Sequence, residues 1–72
     1  MPLIQVKLIE NVFTLVQKQE MIRKLTDAMV SIEGEKLRPL TSVVIEEVKD
    51  GHLGIGGKPL STHEAREPRA GK

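Results

Sequence analysis

The chain opens "MPLIQVKLIE" at residues 1–10, and the reading of this stretch decides the fold. From residue 2 to residue 9 the side chains alternate, with Ile4, Val6 and Leu8 on one side and Gln5 and Lys7 on the other. A period of two is that of a half-buried strand. Pro2 shares the parity of the apolar side, and a proline is tolerated at the first position of a strand, where no ladder N–H is yet required. Behind an initiator methionine, the small residue Pro2 is also a start from which Met1 is readily removed, leaving a secondary amine at the N-terminus.

Beyond the strand the period changes. Thr14 and Gln17 have the spacing of a capping box, in which hydroxyl and amide each satisfy a backbone N–H at a helix start. Ile22, Leu25, Met29 and Ile32 then recur at intervals of three and four, with Ala28 beside them. Lys18, Arg23, Lys24 and Asp27 fall on the other side, which predicts an amphipathic helix ended by Gly34. A second strand is expected in "TSVVIEEV", residues 41–48, rich in β-branched residues and introduced by Arg38 and Pro39.

Strand, helix and strand in this order make one βαβ unit of the α/β class, with parallel strands and a right-handed crossover. Residues 49–59, "KDGHLGIGGKP", hold four of the six glycines and read as irregular backbone or a short hairpin. The division expected is a βαβ domain over residues 1–60 and a polar tail over 61–72. In that tail Ser61 and Glu64 permit one helical turn before a frayed end.

Two strands and one helix leave a sheet with exposed edges and an uncovered face, for which Leu3, Ile9, Val43 or Ile45 are the candidates. A chain of 72 residues with one aromatic residue, Phe13, and no cysteine has little else to stabilise it. Such a chain buries only about 60 % of the surface its unfolded form exposes. The usual remedies are disulfides, a metal or assembly, and His52 and His63 match no tight zinc spacing. A homo-oligomer without a metal is the expectation.

The charge balance, 11 basic residues against 10 acidic, offers no single-sign field for nucleic acid. No stretch approaches the run of about 20 apolar residues that spans a bilayer, and no signal-peptide pattern opens the chain. A cytoplasmic protein, bound neither to membrane nor to nucleic acid, is expected.

The glycine cluster fails as a phosphate loop, because His52 stands where the first glycine of a Walker motif belongs and Pro59 follows Lys58. Glu46 and Glu47 are adjacent in a strand and point to opposite faces, so they do not serve one substrate within a subunit. His52, in a glycine-rich turn, reads as a surface residue. Pro2 stands apart, since an α-amino group has a pKa of about 7.7–8.0 and burial or nearby cations lower it. A neutral secondary amine is a base and a nucleophile near neutral pH.

Taken together, "MPLIQVKLIE", "QKQEMIRKLTDAM", "PLTSVVIEEV" and "GHLGIGG" resemble the 4-oxalocrotonate tautomerase family, over residues 2 to about 60. The resemblance implies a hexamer built as a trimer of dimers, in which paired βαβ units form four-stranded sheets with the helices outside. It implies an isomerase without a cofactor that converts a small enol or dienol into its ketone, with Pro2 as general base and then acid. The chain departs from the family's best-known form at three places. It reads Glu10, Asn11, Val12 where "EGR" is usual; the second-strand arginine falls on Ser42 or Val43; and Leu53 stands where an aromatic is expected. Each lost arginine contact to a carboxylate forfeits about 1.5 to 3 kcal/mol. Arg38 is then the cation left for the substrate, with Ile9, Ser42 and Leu53 lining the cleft. The expected substrate is a small enolisable 2-oxo or 2-hydroxydienoic acid. The alternative is an assembly subunit on the same scaffold, inactive or active only beside a partner chain.

Overall fold

The computed structural model describes residues 2–63. The expected tail and the Ser61/Glu64 cap extend past residue 63, and the state of Met1 precedes residue 2, so these lie outside the described residues. The elements run β1 (Leu3–Ile9), α1 (Leu15–Glu33), a 3₁₀ turn (Glu35–Leu40), β2 (Ser42–Val48), β3 (Leu53–Ile55) and β4 (Lys58–Leu60).

The capping box forms as its spacing predicts. The Thr14 N–H donates to Gln17 Oε1 at 2.9 Å, and the Gln17 N–H donates to Thr14 Oγ1 at 3.1 Å. At the other end Gly34 takes φ 103°, a value open to glycine, and its N–H donates to the Val30 carbonyl at 2.8 Å. The sequence reading did not separate the 3₁₀ turn that follows, which contains Pro39 and places Glu35 in its first turn and Arg38 in its last. A six-residue turn carries too few positions to display a period.

β1 and β2 pair in parallel, from Leu3 opposite Ser42 to Ile9 opposite Val48. Partners in a parallel ladder share a face, so Ile4, Val6 and Leu8 lie with Val43, Ile45 and Glu47. This is the face beneath α1, as the contact from Lys18 Nζ to Glu47 Oε2 at 3.1 Å shows. The other face carries Leu3, Gln5, Lys7 and Ile9 with Ser42, Val44, Glu46 and Val48. The register thus corrects the expectation for β2: Val44 and Val48, not Val43 or Ile45, belong to the open face.

The helix face is also turned from the one expected. Val30 is buried, with Thr26, Met29 and Glu33 half-buried around it, whereas Ile32 is 84 % exposed and Ile22 lies at the margin. Lys18, expected outside, is drawn inward by Glu47. Only Ile9 and Val30 are buried among the described residues, at 8% and 5% exposure. Burying one aliphatic side chain gains about 1.5–3 kcal/mol, while ordering one residue's backbone costs about 1–2 kcal/mol. Two such side chains with half-buried neighbours are a small core for a chain of this length.

β3 and β4 form a two-stranded antiparallel hairpin, closed by Gly56 and Gly57. Both have positive φ, 61° and 83°, as a two-residue type I′ turn requires. The hairpin expected among the glycines is therefore present, extended by one residue to Leu60.

Candidate active site

Pro2 sits at the head of β1, half-buried, and its carbonyl accepts the Ser42 N–H at 3.0 Å. Having no ladder N–H to lose, proline fits this place. The corner that supplies Ser42 is itself tied down. Thr41 Oγ1 contacts the Glu33 carboxylate and lies 2.8 Å from the Leu37 carbonyl, and the Thr41 N–H donates to the Arg38 carbonyl at 3.2 Å. Leu37 and Leu40 remain partly exposed beside it.

Arg38 belongs to the same corner by its backbone, but its guanidinium is engaged elsewhere. Nε and Nη2 donate to the two oxygens of Glu35 at 3.0 and 2.8 Å, and Nη1 donates to Asp27 Oδ1 at 2.8 Å. One positive charge faces two carboxylates. The Arg38 hydrogen bond holds the Glu35 carboxyl below the ordinary carboxylate range, and the bonds to Glu35 and then Asp27 raise the guanidinium further above its already high value. Of its five N–H groups three are used in these contacts, leaving two for any other acceptor.

Because the folded state lowers the Glu35 pKa, the pair's contribution is present above the unfolded-state value and fades as pH falls through the folded one. In an NMR titration Glu35 is expected to protonate below the ordinary carboxylate range, and Arg38→Ala to return it to that range. An unchanged Glu35 titration in Arg38→Ala would show the bidentate contact to be absent in solution.

Ile9 and Leu53 stand at the opposite end. β1 spans seven residues, so Ile9 lies about 20 Å along the strand from Leu3. Ile9 is buried and Leu53, opposite Leu60 in the hairpin, is 40 % exposed. Here Glu10 Oε2 accepts the Asp50 N–H at 3.0 Å, Asp50 Oδ1 accepts the Thr62 N–H at 2.7 Å, and Thr62 Oγ1 donates to the Glu10 carbonyl at 3.2 Å. These bonds fasten the β2–β3 turn and the chain beyond β4 to the end of β1. In sequence Glu10 belongs only to the altered motif after β1, and the signal that would single it out is an acid directly after a strand end.

The single chain therefore brings Pro2 and Ser42 together, sets Arg38 nearby with its charge engaged, and keeps Ile9 and Leu53 at the far end. A recess of about 370 Å³, lined by Phe13, Gln17, Glu20, Met21, Lys24 and Leu25, contains none of these five residues. Glu47 and Glu46 lie on opposite faces as expected, the first against Lys18, the second in register with Lys7. The His52 N–H closes a turn on the Lys49 carbonyl at 2.9 Å. Among the described residues no group of three His, Cys, Asp or Glu side chains is placed to hold a metal ion, and no helix is long and apolar enough to cross a membrane.

Comparison with known proteins adds to this geometry. The family model described as tautomerase enzyme matches residues 2–63. Among solved structures, DmpI from Helicobacter pylori is 34% identical, with a TM-score of 0.70 over 86% of this chain and 97% of that one. A 4-oxalocrotonate tautomerase isozyme structure from Methylibium petroleiphilum is 32% identical, with a TM-score of 0.71 over 89% and 97%. TomN, a 4-oxalocrotonate tautomerase homologue in the tomaymycin biosynthetic pathway, is 27% identical, with a TM-score of 0.74 over 92% and 95%. No protein of curated function matches the chain.

Proposed function

Because the chain belongs to the tautomerase family, whose members are isomerase-type enzymes, we propose that it interconverts enol and ketone forms of a small 2-oxo or 2-hydroxydienoic acid. Pro2, freed of Met1, is the base. Its nitrogen takes the proton of the enol hydroxyl, the oxygen's electrons close the C=O bond and shift the double bond, and the protonated amine returns that proton to carbon. One proton leaves oxygen and one arrives at carbon, so nothing else is consumed and no cofactor takes part.

The observation that carries this reading is the placement of Pro2: half-buried at the strand head and fixed by the Ser42 N–H. An α-amino group has a reference pKa of about 7.7–8.0, so a free amine of this kind is a base near neutral pH. The cleft is completed by another copy of the chain. Ile9, about 20 Å along the strand within one chain, and Leu53 in the hairpin beyond β2 line it only when a neighbouring copy presents its far end to Pro2. Arg38 and Ser42 hold the substrate carboxylate, Arg38 through its two remaining N–H groups. A homo-oligomer, expected as a trimer of dimers, covers the open face of the sheet and forms these junctions together.

The test is to mix the protein with 2-hydroxymuconate or phenylenolpyruvate and follow ketone formation. Turnover above the buffer rate that depends on Pro2 supports the reading; none with either enol overturns it. The engagement of Arg38 with two carboxylates favours one second reading, an assembly subunit without turnover. That reading expects the same oligomer and no Pro2-dependent rate.

A further inference from the structure

We propose that Thr41 is a positioning residue for Pro2, its hydroxyl holding the corner from which Ser42 grips the proline. This rests on the proline-based reading above.

Four contacts converge on two adjacent residues. The Glu33 carboxylate, at the last residue of α1, meets Thr41 Oγ1, and the same oxygen reaches the Leu37 carbonyl at 2.8 Å. The Thr41 N–H is held by the Arg38 carbonyl at 3.2 Å, and the next N–H in the chain, that of Ser42, donates to the Pro2 carbonyl at 3.0 Å. The helix end and the 3₁₀ turn thus meet at the Thr41 side chain, and the proline is tied to the backbone N–H of the next residue. Both neighbours are acceptors and the hydroxyl has a single proton, so it donates to one of them at a time, and removing it takes the donor away from both. Thr41 is β-branched and stiff about χ1, which suits it to fix an angle rather than fill a space. It is half-buried, and so are Glu33, Ser42 and Pro2.

Nothing in this arrangement places Thr41 on the substrate. Its effect passes through the Ser42 N–H to the Pro2 carbonyl and so to the ring nitrogen one residue end away. Misplacing a reacting group by about 1 Å costs up to about a hundredfold in rate, so partial loosening is expected to cost about tenfold.

The experiment compares Thr41→Val and Thr41→Ser in the full chain. It reads kcat and KM for phenylenolpyruvate and amide hydrogen exchange at Ser42 and at Val44, two residues further along β2. In Thr41→Val, kcat is expected to fall about tenfold with KM changed less than about twofold, and the Ser42 amide to exchange about tenfold faster while Val44 is unchanged. Thr41→Ser, which keeps the hydroxyl, restores both. A Thr41→Val protein with the original kcat and Ser42 exchange overturns the proposal. So does equal acceleration at Ser42 and Val44, or a Thr41→Ser protein as impaired as Thr41→Val. Absence of Pro2-dependent turnover in the unmodified protein overturns the proposed function instead, and the Ser42 exchange still decides whether Thr41 holds the corner.

Discussion

Pro2→Ala is expected to lower the rate of enol ketonisation by about a hundredfold or more while the assembly keeps its size. General base catalysis by a positioned group contributes about 10²–10⁴ in rate, and the replacement removes the ring that fixes the nitrogen's direction. The backbone tie is spared, because it runs from the Ser42 N–H to the carbonyl of residue 2 and uses no side-chain atom. Alanine also leaves a primary amine, so some residual rate is expected. Stopped-flow or conventional ultraviolet kinetics on phenylenolpyruvate read the loss, and light scattering reads the oligomer. An unchanged rate would remove the proline from the mechanism.

The second large effect concerns the open face of the sheet. Val44→Asp is expected to dissociate the assembly and abolish activity with it. Val44 is 40 % exposed in the single chain, and Leu3, near it on that face, is 57 % exposed. If copies pack over this face, the new carboxylate is buried without a partner. The penalty for burying an unpaired ion is several kcal/mol, and at about 1.4 kcal/mol per factor of ten this weakens association by about a hundredfold or more. Sedimentation velocity distinguishes the outcomes: a shift to monomer is expected, and an oligomer of unaltered size would show that the face stays open in solution.

Much of the fold could be read before the structure because local rules agree with it. The alternation in residues 2–9, the Thr14/Gln17 cap, the stop at Gly34 and the β-branched run before Val48 each have one physical meaning, and β1, α1 and β2 follow. The parallel pairing and the likeness to 4-oxalocrotonate tautomerases are borne out as well. What escaped was relational. Val43, Val44 and Ile45 are all apolar, so the run does not say which residue faces the helix, and only the register with β1 decides. The helix carries apolar residues round much of its circumference, and the face it turns inward is marked only in the folded chain, by the buried Val30 and by Lys18 reaching Glu47. Arg38 looked available because Asp27 is eleven positions away in sequence, and no short-range pattern joins them.

The candidate site divides in the same way. That Pro2 meets the start of β2 follows from parallel strands alone, since both begin at one end. The same rule sends Ile9 to the other end, where the Glu10, Asp50 and Thr62 contacts also fasten the hairpin that carries Leu53, and the second copy proposed above is what would group all five residues in one cleft. Thr41 and Glu33 carried no sequence signal, because their contact exists only once the 3₁₀ turn has folded the chain back onto the helix end.

Catalysis by Pro2 needs its nitrogen to be a free amine, a state read from the intact mass of the mature protein. A chain lighter by one methionine residue, beginning at Pro2, is expected. A chain that retains Met1 in amide linkage to that nitrogen would contradict it.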